Sequence, residues 1–492
     1  MTAARIRTAG GVGAGLTLPL PGAMRGAANP GARVNPGVGA QRAAPYRATN
    51  TVPGRAQHAA PLREWGTGRE GGMWACGAVA LLAFVLAGCA PRASGPAPVE
   101  LRFWAMGREG EVVRELMPAF EAAHPGIRVR VQQIPWGAAH EKLVTAYVGD
   151  ATPDVGQMGN TWIPEFVALD AIEPLTPFLG PNVRRASYFP GIWATNVVAG
   201  APYGIPWYVD TRLIFYRRDV LERAGVARFP ETWAQWEAAL RAIKRHVGPN
   251  RYAIHLPLAE WTVPVLLGLQ NGSGLLRDDG RYGAFAQAEY REAFRFYVSL
   301  FRNELVPPVT GSGVQNVYQD MAEGYFSMWV TGPWNLGEFK TRFPDSLQSA
   351  WATAPMPGPN GPGTSLAGGS SLVLFKGGRH PREAWALVEW LSQPAQQMAF
   401  YRLTGSLPAR REVWADTAFT NDPRIRAFGD QLERAVPTPL VPEWERITTS
   451  IMQYAEAAVR GSMTEDEALR RLDAEVDAML EKRRFLLARS DE

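Results

Sequence analysis

The chain has 492 residues, 46% hydrophobic and 20% charged, a globular composition that excludes disorder throughout and is long enough for two or three core-sized units. A net charge of +4 suggests a polyanion partner until its position is checked. Residues 1–88 hold nine arginines, two glutamates and no Lys or Asp, which leaves three net negative charges on the rest, so a nucleic-acid role is not supported.

Residues 1–72 are rich in Ala, Gly, Pro and Arg, have no periodicity and offer nothing to a core. They read as a disordered extension or as sequence upstream of the true start. Residues 73–88 follow a charged flank with an apolar run, Trp74 to Gly88, too short for the ~20 residues of a membrane span but matching a signal-peptide core. Leu86-Ala87-Gly88-Cys89 resembles the bacterial lipobox, which implies cleavage before Cys89 and lipid attachment to its thiol. Cys76 would leave with the signal peptide, so no disulfide is expected. Residues 89–98 are then the lipidated Cys and a linker.

Val99–Trp104 alternates apolar and polar residues as a strand does. Glu109–Ala123 has helical spacing and closes at His124-Pro125-Gly126; Ile127–Ile134 is a second period-two strand, Ala138–Tyr147 a helix, and Pro153–Val155 a third strand. This alternation implies parallel βαβ units. After a break at Gly204-Ile205-Pro206 it resumes with strand Leu213–Tyr216, helix Arg218–Ala224 and helix Thr232–His246, which Thr232 caps. Helices at Glu289–Phe301 and Val314–Glu323 and strand Tyr325–Val330 precede a second break, Ala354–Gly363. Strand Ser371–Phe375, helix Pro381–Leu391 and helices Pro442–Val459 and Thr464–Leu487 end the chain, the last opened by a capping box at Thr464-Glu467.

The motifs Gly149–Val155, Gly159-Asn-Thr-Trp162 with Glu165-Phe166, Tyr203–Asp210, Gly332-Pro333-Trp334, Leu366–Leu372 and Gly405-Ser-Leu-Pro408 with Arg410 stand in a telling order. Over roughly residues 99–485 the sequence resembles the extracellular solute-binding proteins of ATP-binding-cassette sugar importers, in the maltose/trehalose-binding group. The resemblance implies an α/β, two-lobe periplasmic-binding-protein (Venus-flytrap) fold. Each lobe is expected to be a mostly parallel sheet flanked by helices, with a helical C-terminus. Lobe 1 is expected at 99–207 plus 352–404 and lobe 2 at 208–351 plus 405–492, with hinges at Tyr203–Asp210, Trp351–Gly363 and Leu403–Arg410.

It further implies a lipid-anchored monomer outside the cytoplasmic membrane that passes a sugar to permease subunits. A sugar cleft needs aromatic faces for ring C–H groups and carboxylates, amides or Arg for hydroxyls. The candidates are Trp104, Gly107, Glu109, Trp136, Asn160, Trp162, Tyr208, Asp210, Trp261, Gly332, Trp334, Gly369, Ser370 and Arg410. Several have a plain structural role as competitor: core packing for Trp104, a dipole-complementing acid for Glu109, a helix cap for Asn160, a turn or cap aspartate for Asp210. Arg410 is expected to bind a sugar or to brace Asp210.

Several aromatics favour a di- or oligosaccharide. A glycerol phosphate or phosphodiester would need Arg108, Arg212 or Arg410. An adhesion protein without a transport ligand would carry polar residues in place of the cleft aromatics. No G-x-S-x-G, H-E-x-x-H, Walker A or C-x-x-C occurs, so neither an enzyme nor a cofactor or metal is expected, although a glycosidase carboxylate pair has no visible signature.

Overall fold

A computed structural model describes residues 97–308 and 316–490, all within one compact unit, Pro91–Glu492. The signal peptide, Cys89 and most of the linker lie outside the described residues. Ten strands matter here: β1 (Val99–Met106), β2 (Ile127–Ile134), β3 (Val155–Gly159), β4 (Ile205–Asp210), β5 (Leu213–Arg217), β6 (Ile254–His255), β7 (Met328–Thr331), β8 (Trp351–Ala354), β9 (Gly368–Leu374) and β10 (Leu407–Pro408).

They form two principal sheets, ordered β10-β4-β9-β3-β1-β2 and β8-β5-β7-β6. In the first, β1 pairs in parallel with β2 and β3, while β9 runs antiparallel between β3 and β4. In the second, β5 runs antiparallel between β7 and β8, and β7 is parallel to β6. Strand direction is therefore mostly shared within each sheet, as the βαβ pattern requires. Reversed strands, β9 and the edge strand β10 in the first sheet and β5 in the second, make the sheets mixed rather than purely parallel.

The expected lobe boundaries cut across this pairing. β4 lies wholly in the first sheet through Asp210, β8 wholly in the second, and β10, like β9 before it, in the first. The crossings thus fall at Thr211-Arg212, after Ala354 and after Pro408, each within a few residues of the expected boundaries.

β1 shows why the first sheet is central. Leu101, Phe103 and Ala105 enter one apolar cluster, and Trp104 and Met106 enter another on the opposite face. Period-two alternation buries both faces, which marks a strand with helices on each side. The first cluster continues from Phe103 and Trp207 to Phe215, Phe339 and Trp351 of the second half, whereas Ile214, Met328 and Val330 face a third cluster under the C-terminal helices.

The helix expected at Glu109–Ala123 is interrupted: α1 (Gly107–Val112) gives way to a 3-10 turn, and α2 (Met117–Ala123) starts with Pro118 at its second position. Helix α3 spans Trp136–Val148, α4 Ile163–Ala168, α5 Trp233–Val247, α6 Thr262–Gln270, α7 Asn335–Arg342 and α8 Trp444–Val459. Thr232 caps α5 with a full capping box to Gln235, as the sequence indicates. The C-terminal run is divided in two, Glu465–Met479 and Glu481–Ser490. No described helix is long and apolar enough to cross a membrane, and no group of three metal-ligating residues occurs among the described residues.

Candidate functional site

The carboxyl ends of β1, β2 and β4 from the first sheet and of β7 from the second meet at a cavity of about 490 Å³. Its walls are Glu109 of α1, Trp136 at the start of α3, Tyr208 and Asp210 of β4, Trp334 at the start of α7, and the Gly369 backbone of β9. Open α/β sheets bind ligands at these ends because side chains there leave the ladder while strands hold them rigidly.

Trp136 is 37% and Trp334 49% exposed, two large aromatics left open at the cavity. The Trp136 indole donates to Glu109 Oε2 at 3.4 Å. Burial pushes the Glu109 carboxyl above the usual carboxylate range, against the opposing donors from its own backbone, Trp136 and Tyr208 and the Arg108 charge. Burial, with the Glu109 and Asp210 charges, holds the Tyr208 hydroxyl protonated far above its ordinary value. Gln157 Nε2 donates to that hydroxyl at 3.3 Å. Asp210 accepts from Arg212 Nη1 at 2.6 Å.

A second cavity of about 200 Å³ shares Trp136, Asp210 and Gly369 with the first and adds Asn160, Trp162 and Trp261. Trp162 stands edge-on to Trp136 with ring centroids 5.9 Å apart. Trp261 stands edge-on to Trp444 of α8 at 5.8 Å. Asn160 is buried and donates to Thr195 Oγ1 at 2.6 Å, while its amide oxygen has no hydrogen-bond partner.

Gly369 has φ +118, and a Cβ there would meet the Tyr208 carbonyl oxygen at 2.3 Å, so β9 approaches β4 only with glycine at this point. A Cβ on Gly332 would strike the six-membered ring of Trp334 at 1.9 Å, and one on Gly107 would strike the Trp136 indole at 2.7 Å. These two glycines admit the aromatics and line neither cavity.

Three candidates lie elsewhere. Trp104 is buried in a core cluster with the Lys142 ammonium 5.2 Å from its ring centroid. Ser370 is fully buried and donates to the Met158 carbonyl of β3 at 3.0 Å. Arg410 is buried over Tyr188, bonded to the Asn182 carbonyl at 2.8 Å and 3.5 Å from Glu412, so it neither reaches the cavity nor braces Asp210.

Arg212 does the bracing. Arg108, Pro333 and Ser406 also line the first cavity, and Thr161, Thr262 and Thr438 the second. Ser406 lies inside the quoted Gly405–Pro408 motif, whereas nothing in the sequence around Thr438 marks it.

Residues 106–398 match the family of bacterial extracellular solute-binding proteins. The chain belongs to that family. Its members act outside the cytoplasm. The described fold is similar to that of the sugar-binding protein MalE from the phytopathogen Xanthomonas citri, with a TM-score of 0.77 and 48% identity over 79% of this chain and 99% of that one. An uncharacterised lipoprotein encoded in the oleD 5′ region of Streptomyces antibioticus is 26% identical over 76% of this chain and 86% of its own length. A maltotriose-binding protein of Pyrococcus abyssi is 23% identical over 76% of this chain and 78% of its own. The two-lobe fold is that of the periplasmic binding proteins.

Proposed function

We propose that this protein is the substrate-binding subunit of an ATP-binding-cassette importer, capturing a di- or oligosaccharide outside the cytoplasmic membrane and delivering it to the permease. The observation that carries the reading is the pairing of open tryptophans, Trp136 and Trp334, with the carboxylates Glu109 and Asp210 in one interlobe cavity. Aromatic faces stack on the C–H faces of pyranose rings, and carboxylates accept from hydroxyls in charge-assisted hydrogen bonds. The second cavity, with Trp162 and Trp261, supports a ligand longer than one ring.

Binding begins on the open cleft, and closure about the crossings at Arg212, after Ala354 and after Pro408 buries the ligand. A ligand shifts that equilibrium only by its preference for the closed form. The protein acts as a monomer tethered through a lipid on Cys89, since two acyl chains give stable attachment where one is marginal.

Of the three arginines a phosphate would need, Arg212 is engaged by two carboxylates and Arg410 is outside the cleft, leaving Arg108 alone beside Glu109 and Asp210 at the first cavity, which disfavours a phosphate ligand. A thermal-shift screen from residue 90 onward, against mono-, di- and oligosaccharides and glycerol 3-phosphate, tests this. A ligand at a hundred times Kd adds about 2.7 kcal/mol of stability. A shift for glycerol 3-phosphate with none for sugars refutes the proposal.

A further inference from the structure

Arg212 sits in the Thr211-Arg212 link between β4 of the first sheet and β5 of the second. Its backbone is fastened to the returning crossing. Ser365 Oγ donates to the Arg212 carbonyl at 2.7 Å and accepts from the Arg212 N–H at 3.2 Å, three residues before β9 begins.

The guanidinium turns toward the cleft and meets groups carried by both sheets. Nη1 reaches Asp210 Oδ1 at 2.6 Å, at the end of β4; Nη2 reaches Glu260 Oε1 at 3.3 Å, just before α6. Cζ lies 4.6 Å from the ring centroid of Trp334, which follows β7. Glu260 is itself held by the Thr262 hydroxyl, donating at 2.9 Å. The Arg212 side chain is only 15% exposed, and its Nε has no hydrogen-bond partner. A buried cation is costly, and a planar fork that satisfies two carboxylates while covering an indole face is what Arg offers and Lys does not.

We propose that Arg212 is the positioning residue of the cleft, fixing Asp210 and Trp334 as a sugar meets them and linking that arrangement to the interlobe crossing. This rests on the sugar-binding reading above. By engaging Oδ1 of Asp210 it leaves Oδ2 for a ligand hydroxyl, and by covering one face of Trp334 it leaves the other for a ring. Its charge is spent on Asp210 and Glu260, so it tunes the site toward uncharged ligands. Without it, the Asp210 and Glu260 carboxylates would stand beside the cleft with no cation between them.

The test titrates maltose and maltotriose into wild type, Arg212→Gln, Arg212→Lys and Glu260→Gln by calorimetry, with acrylamide quenching of tryptophan fluorescence in the unliganded proteins and Trp334→Phe as the reference. The expected result is at least a tenfold weaker Kd for R212Q, partial rescue by R212K, a smaller loss for E260Q, and increased quenching of the Trp334 component in R212Q. If wild type binds and R212Q binds within twofold of it, the proposal fails while the sugar reading stands. Affinity losses that follow apo melting temperature, with R212K no better than R212Q and quenching unchanged, also overturn it, because Arg212 would then be purely structural. Should wild type bind neither sugar, the sugar reading is what fails. Quenching then decides the Arg212 question alone: unchanged Trp334 accessibility in folded R212Q overturns it, and increased accessibility upholds its hold on the ring.

Discussion

Removing the Trp334 ring should weaken sugar binding far more than it weakens the fold. The ring is 49% exposed with Arg212 over one face, so its uncovered area is the part a ligand can bury. An aromatic side chain buries roughly 150–250 Å² in full, which leaves about 100 Å² for a sugar. At about 25 cal/mol per Å² this is worth about 2.5 kcal/mol at most. Ordering costs on binding reduce it, so Trp334→Ala should cost about 1–2.5 kcal/mol, or a Kd weaker by about 5- to 70-fold. The unliganded fold should change little, because Trp334 makes no side-chain cap to α7 and is already half exposed. Calorimetric titration with the best-binding sugar, beside apo melting of both proteins, measures the two effects separately. A Kd within twofold of wild type, with the fold intact, would refute the stacking argument; a collapse of apo stability would show that the ring is structural.

The Gly369→Ala variant should lose about 3 kcal/mol or more of stability, since its Cβ meets the Tyr208 carbonyl at 2.3 Å and its φ of +118 strains any L side chain; urea unfolding with an unchanged midpoint would refute this. Glu109→Gln should weaken sugar binding yet stabilise the empty protein at neutral pH. Burial raises the Glu109 pKa, so its favourable share of stability is present below the ordinary carboxylate pKa and is lost as pH rises through the folded value. The melting advantage of E109Q should therefore be clear at about pH 7 and vanish near pH 4; an advantage equal at both would sink the argument. His140 Nε2 lies 2.7 Å from Glu165, a hydrogen bond that raises the His140 pKa, with the Glu445 and Glu141 charges adding to it. Its contribution is present below the ordinary His value and lost as pH rises through the raised one, so the stability gap between wild type and His140→Gln should narrow between about pH 6 and pH 8. A gap constant across that range would show that His140 does not titrate against Glu165.

The early strands and helices were legible because their periodicities are clean: Ile127–Ile134 appears with the expected bounds, and Pro381–Leu391 is a helix from end to end. Glu109–Ala123 misled because helical spacing persists across Pro118, which forces a new start without disturbing the apolar pattern. The break at Leu480 is hidden for a similar reason, since no Gly or Pro marks it. Trp104 shows a different limit. Alternation places it opposite Leu101 and Phe103, but with both faces of β1 covered by helices, neither face identifies a ligand residue. Arg212 carries no motif at all. Its role comes from partners at positions 210, 260 and 334, which only the fold brings together.

Strand direction explains which candidates reach the cleft. Glu109, Trp136 and Asn160 follow β1, β2 and β3, Asp210 ends β4 and Trp334 follows β7, all strands that share their sheet's direction. A reversed strand must offer its amino end to the same edge. That is where Gly369 enters β9 and Arg212 precedes β5. The same rule accounts for Arg410. β10 pairs antiparallel with β4, so Ser406 before it lines the cavity while Arg410 beyond it is carried to the opposite edge, against Tyr188 and Asn182. The sequence shows only a turn before Arg410, which sets no strand direction and leaves the arginine near the cleft. The pairing partner that corrects this, β4, lies about two hundred residues earlier in the chain, where no local pattern near Arg410 could reveal it.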